Sequence, residues 1–211
     1  MTGAAFLLLA LALVVAAGDW IAVVRERKPL EYLCKPLTMV VLIGATVALD
    51  ADDSGVQTWF VVALVLCLIG DVFLMLPQDL FVFGLASFLL GHVGYIVGMQ
   101  VAGVDSGRLG VGVLLVLVAM AVIGAPIVRA VRAGAEPELT GPVVAYMAVI
   151  SAMVASAIGT GHVAAVAGAG SFYASDALIA WNRFVRETRH GRLAIIVTYH
   201  LAQVGLVLSL V

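Results

Sequence analysis

The stretch QTWFVVALVLCLIGDVFLML, residues 57–76, decides how the whole chain is read. At 1.5 Å rise per residue, about twenty apolar residues make a helix that crosses the ~30 Å hydrocarbon core of a bilayer. One residue breaks the apolar pattern: Asp71, five positions before the run ends at Leu76. A charged Asp at mid-helix carries an insertion penalty of roughly 2.5–3.5 kcal/mol. A carboxylate kept in such a place points to function more strongly than anything else in the chain.

Working outward, seven more runs have comparable length and polarity. The eight spans are 4–24, 33–49, 57–76, 80–101, 109–129, 140–159, 162–183 and 192–211. Composition agrees: of 211 residues, 64% are hydrophobic and only 11% charged, with a mean hydropathy of +1.17. Soluble domains carry about 25% charged residues, so this chain lacks the material for a water-facing surface. The expected fold is all-α, a polytopic membrane bundle of eight transmembrane helices, in one integral membrane domain over residues 1–211. The bilayer is therefore an expected partner, and a net charge of −2 argues against nucleic acid. Cys34 and Cys67 form no CxxC and read as free packing residues. The first run, Ala4 to Val24, has no basic segment ahead of it and reads as a retained span, not a cleaved signal.

Short connections force consecutive helices to be antiparallel neighbours. Pro77 ends the third span, and Thr140-Gly-Pro142 is expected to cap and open the sixth. Arg25, Arg27, Lys28 and Lys35 cluster between spans one and two; Arg129 and Arg132 follow span five. Arg183, Arg186, Arg189 and Arg192 lie between seven and eight, leaving only Arg108 on the opposite side. The basic side is expected to be cytoplasmic, with both termini outside a cell membrane.

Depth can be counted from the cytoplasmic helix ends. Asp71 lies roughly 8 Å inside, Asp176 about 10 Å, and Tyr199 with His200 roughly 11–12 Å. Asp19 and Lys35 are expected nearer the interface, where Lys35 can snorkel. Gln203 is one turn beyond Tyr199, and His92 and Tyr95 lie deeper, sharing a face with Phe88 and Met99. The pattern predicts a polar pocket opening toward the cytoplasmic leaflet. Trp20, Trp59 and Trp181 fit an aromatic belt at the helix ends. Gly84, Gly91, Gly94 and Gly98 read as a close-packing face. His162 and His190 fall outside the pocket, and no HExxH or GxSxG motif is present.

Five segments then stand together: Cys34-Lys-Pro-Leu-Thr-Met39, Gly70-Asp-Val-Phe-Leu-Met75, Gly84 to Tyr95, Ser175-Asp176 through Phe184, and Tyr199-His-Leu-Ala-Gln203. In order and across the whole chain they resemble the YhhN family of lysoplasmalogenase-like membrane proteins. That resemblance marks Lys35, Asp71, His92, Tyr95, Ser175, Asp176, Tyr199 and Gln203; His200 stands where an aromatic residue is expected. It implies cleavage of the vinyl ether of a lysophospholipid to a fatty aldehyde and a glycerophospho-alcohol, with no cofactor and no metal.

Vinyl ethers hydrolyse by protonation of the β-carbon, leaving an oxocarbenium ion that water captures. Glycosidases meet a related demand with two carboxyl groups in different protonation states. Asp71 and Asp176 are therefore the candidate catalytic acid/base pair. Lys35 is expected to bind the lipid phosphate, with His92, Tyr95 and Ser175 lining the site. Tyr199 and Gln203 are expected to orient water or a glycerol hydroxyl. Two rivals use the same residues: a proton-coupled transporter, and a zinc-dependent lipid hydrolase built on His92, His200 and an aspartate.

Overall fold

The computed structural model describes all 211 residues, and they form helices with no strands. Nine α-helices are α1 Gly3–Val24, α2 Lys28–Ala48, α3 Ser54–Met75, α4 Phe81–Ala102, α5 Ser106–Ala119, α6 Ala125–Ala133, α7 Thr140–Thr160, α8 Val163–Phe184 and α9 Gly191–Leu208. A π-helical turn, Met120–Gly124, joins α5 to α6, so these two make one span. The result is eight helices long and apolar enough to cross a membrane, as the sequence predicts.

Local chemistry explains where the helices begin and bend. Asp53 caps α3 by accepting from the backbone N–H of Gly55 and Val56 at 2.6 and 3.2 Å. Asp105 caps α5 through the Arg108 N–H at 2.8 Å. These acidic residues satisfy donors that the first helical turn leaves orphaned. Leu76 turns extended ahead of Pro77 and ends α3, as expected from the steric demand of proline on its predecessor. Pro126 sits inside the fifth span, where it lacks an N–H and crowds the preceding turn. The wider π turn just before it absorbs that defect.

Two local expectations are corrected. The second span starts at Lys28, not at 33, because Pro29 suits a first helical turn and a Lys28–Glu31 ion pair at 3.2 Å solvates it. Thr140 does not cap α7. Its hydroxyl donates backward to the Pro137 carbonyl at 2.7 Å, over a 3₁₀ turn that spans Pro137–Leu139.

Helix contacts close a circuit. α1, α2, α3, α4, α7, α8 and α9 each pack on the next, and α9 returns to α1 and α2; the α5–α6 span lies outside, mainly against α7. α3 and α4 pack closely, through the glycine face of α4. A Cβ added at Gly91 would stand 2.9 Å from the Cys67 sulfur and 3.2 Å from the Ala63 carbonyl oxygen. Both Cys34 and Cys67 are buried free thiols. Two apolar cores form, a large one through the circuit and a small one of Phe81, Ile127, Val131, Leu139, Val143 and Met147.

Gly91→Leu should therefore lower the unfolding midpoint in detergent, by overpacking of about 1–3 kcal/mol or more. Gly110→Leu, with open space around the site, should leave the midpoint unchanged.

Candidate functional site

The polar side chains inside the circuit come from α1, α2, α3, α4, α7, α8 and α9, and they gather into separate nests. The first is built on Asp71, which is 1% exposed. Tyr199 of α9 donates its hydroxyl to Asp71 Oδ2 at 2.5 Å, and Lys35 Nζ of α2 lies 3.0 Å from Oδ1. Both carboxylate oxygens are thus answered, one by a phenol and one by an ammonium. Lys35 is committed to this pair and is not free at the interface as the sequence suggests.

A second nest surrounds Asp176 on α8. Tyr146 of α7 donates to Asp176 Oδ2 at 2.5 Å, and His92 Nε2 of α4 stands 3.7 Å from the same oxygen. His92 is fully buried, and neither ring nitrogen has a hydrogen-bond partner. Tyr146 carries no motif signal; it is one phenol in an apolar span, and only the packing of α7 on α4 and α8 brings it here.

Between the two nests stands an aromatic wall. The Phe172 ring lies edge-on to His92 at 4.7 Å, to Tyr199 at 5.4 Å and to Phe88 at 6.1 Å. The expected arrangement, two aspartates facing one cavity, is modified accordingly. A cavity is lined by Asp176 and Tyr146 but not by Asp71. Its walls come from α3, α4, the α5–α6 span, α7 and α8, at the seam between the two apolar cores, and Asp176 is its single charged residue.

The other expected site residues are distributed around this centre. Tyr95 donates to Gln203 Oε1 at 2.5 Å, cross-linking α4 to α9. Ser175 donates to the Ile195 carbonyl at 3.0 Å, which joins α8 to α9. Asp19 is fully buried within the protein, with neither oxygen hydrogen-bonded. His200 Nε2 lies 4.0 Å from it, while His200 Nδ1 accepts from Trp20 Nε1 at 3.1 Å. Trp20 is therefore part of a polar contact and not only a belt residue. His92 and His200 sit beside different aspartates in different nests, so the ligand set His92–His200–aspartate is not assembled.

At the cytoplasm-facing end in the sequence assignment, Arg183 spans three segments. It bonds Asp79 through two contacts at 3.0 and 3.1 Å and Glu136 at 3.1 and 3.2 Å. The Arg183 hydrogen bonds hold the Asp79 carboxyl below its ordinary range. The Asp79 side of this contact is thus present at neutral pH and lost only as pH falls through that lowered value.

If the aspartate nests are independent, a double-mutant cycle will separate them. Tyr199→Phe with Asp71→Asn should show a coupling of about 1.5–3 kcal/mol, the range for a hydrogen bond to a charged group. Tyr199→Phe with Asp176→Asn, which share no hydrogen-bond partner, should be additive within about 0.5 kcal/mol in unfolding measurements.

Comparison with known proteins places this chain in a family. The chain is 33% identical to human lysoplasmalogenase TMEM86B over 147 residues, covering 70% of this chain and 61% of the human protein. It is 29% identical to the rat lysoplasmalogenase TMEM86B over 177 residues, 83% of this chain and 70% of that protein. A lysoplasmalogenase of Mycobacterium tuberculosis is 31% identical over 189 residues, 81% of this chain and 70% of the relative. No solved structure matches. The family model for YhhN matches residues 30–210, and the chain belongs to the YhhN family.

Proposed function

We propose that this protein is a multi-pass membrane hydrolase that cleaves the vinyl ether bond of a lysoplasmalogen-type lysophospholipid. The products are a fatty aldehyde and a glycerophospho-alcohol. One observation carries the reading: a lone carboxyl group, Asp176, on the wall of a cavity whose other lining residues are all aliphatic or aromatic. The names of the relatives point to the same chemistry.

Protonation at carbon needs an acid with direct access to substrate, and Asp176 has that access. Its proton goes to the β-carbon of the vinyl ether, and the C=C π electrons form the new C–H bond. The ether oxygen then shares the positive charge with the α-carbon as an oxocarbenium ion. The carboxylate left on Asp176 faces that cation, where charge attraction in an apolar cavity is strong. Water adds to the α-carbon and gives its proton to the Asp176 carboxylate, which restores the acid. The hemiacetal passes its hydroxyl proton to the ether oxygen as it collapses to aldehyde and the freed glycerol hydroxyl. His92, with both nitrogens unpartnered beside Asp176, is the group available to hold that water.

Asp71 has a different place in the mechanism. With Lys35 on one oxygen and Tyr199 on the other, it acts as a positioning residue behind the aromatic wall, holding α2, α3 and α9 in register. The acid/base pair expected from sequence thus becomes one substrate-facing carboxyl supported by a second, paired one. The cavity mouth is assigned to the cytoplasmic leaflet, with both termini outside, on the distribution of basic residues.

Asp176→Asn should lower aldehyde release from an alkenyl-lysophospholipid by about 10²–10⁴-fold, the usual contribution of a positioned general acid. Hydrolysis in D₂O should place one deuteron on the carbon next to the aldehyde, read by mass spectrometry of promptly trapped product. Unchanged turnover in Asp176→Asn, or aldehyde released without deuterium, would falsify the assignment. A saturated alkyl-ether analogue should release no aldehyde.

A further inference from the structure

The cavity that holds Asp176 is bordered by a charged cluster. Phe81 and Phe184, two of its lining residues, stand edge to face at 5.9 Å. The Arg183 guanidinium lies over Phe81, 4.1 Å from the ring centroid, and 5.7 Å from that of Phe184. Asp79 comes from the α3–α4 turn, where its backbone is left-handed at φ 47°, and Glu136 from the segment before α7. Both carboxylates reach the same guanidinium, yet the Arg183 Nε atom is buried without a partner. The side chains are partly open to water, Arg183 at 24%, Glu136 at 42% and Asp79 at 68% exposure. A cation and two anions thus stand together where an apolar cavity meets the surface.

We propose that Arg183, Asp79 and Glu136 form the headgroup site for a zwitterionic glycerophospholipid, resting on the lysolipid reading above. Arg183 binds the phosphate diester through its planar fork, which matches phosphate oxygens and still has an unused N–H. The two carboxylates, released from part of their hold on the guanidinium, accept the headgroup ammonium. The aromatic rings keep the guanidinium plane fixed while its partners exchange.

The spacing along α8 supports this. Arg183 follows Asp176 by seven residues, about 10 Å along a helix axis. In a lysolipid with a 1-alkenyl chain, seven bonds separate phosphorus from the vinyl β-carbon, about 9 Å at ordinary bond spacing. A phosphate seated on Arg183 brings the carbon to be protonated to the level of the Asp176 carboxyl. Lys35 is tied instead to Asp71, which does not line the cavity, whereas Arg183 stacks on two residues that do, Phe81 and Phe184.

Binding of saturated 1-O-alkyl lipids, which cannot turn over, tests the site without reference to catalysis. Three probes in detergent-solubilised full-length protein suffice: 1-alkyl-lysophosphoethanolamine, 1-alkyl-lysophosphatidate and 1-alkylglycerol. Wild type should prefer the phosphoethanolamine lipid to the alkylglycerol by at least tenfold, and Arg183→Gln should abolish that preference while leaving alkylglycerol binding within twofold. Asp79→Asn combined with Glu136→Gln should weaken the phosphoethanolamine lipid and strengthen the lysophosphatidate, reversing their order. This second variant keeps Arg183 and decides the matter if Arg183→Gln does not fold. A wild type without headgroup preference, or a carboxylate variant with unchanged order, overturns the proposal. Vinyl ether turnover alongside those results would leave the hydrolase reading standing; headgroup selectivity without turnover would leave the site standing alone.

Discussion

Hydrocarbon offers no water to an isolated carboxylate, so the structure around Asp71 is organised to answer it. The Tyr199 hydroxyl takes one oxygen and the Lys35 ammonium the other. These contacts join α9 to the consecutive helices α2 and α3 and place all three around one buried point. Tyr199 in turn meets Phe172 and Phe88 edge to face, so the same contact sets the aromatic wall. That wall separates Asp71 from the cavity and leaves Asp176 as the cavity's charged group. Breaking one partner of a buried ion pair costs far more than never having built it, because the remaining charge stays stranded. The arrangement therefore holds as a unit.

Asymmetry between the two aspartates is the chemical consequence. Asp71 has a cation and a phenol; Asp176 has a phenol, an imidazole without other partners, and an open apolar space. Two identical side chains thus have different surroundings, the condition under which the members of a paired-carboxyl site divide their roles. The cavity itself exists because the α5–α6 span lies outside the helix circuit. Its small apolar core meets the larger one along a seam, and the seam is where packing leaves room.

Much of this was legible in the chain. The spans could be read from their apolar length, and the residues marked by the resemblance do lie inside the bundle. The inward facing of Asp19 was not legible, because distance from a helix end says nothing about which way the helix turns that residue. Trp20 shows the same limit: a tryptophan near a helix end satisfies the belt pattern whether it faces lipid or a histidine 180 positions away. Tyr146 and Arg183 carried no usable signal. A phenol in an apolar span and an arginine in a basic loop are common, and their partners lie 30 to 104 residues away.

By itself, the sequence determined that this is an eight-span helical membrane protein, since hydrocarbon solvates neither charge nor open backbone and eight long, continuously apolar runs meet both demands as helices. It also determined which side chains had to be buried at a cost. Only the tertiary structure decided who answers whom: Lys35 to Asp71, Tyr146 to Asp176, Arg183 to Asp79 and Glu136. Helix rotation and neighbour choice fix those pairs, and both depend on side-chain packing between segments distant in the chain, which local periodicity does not encode.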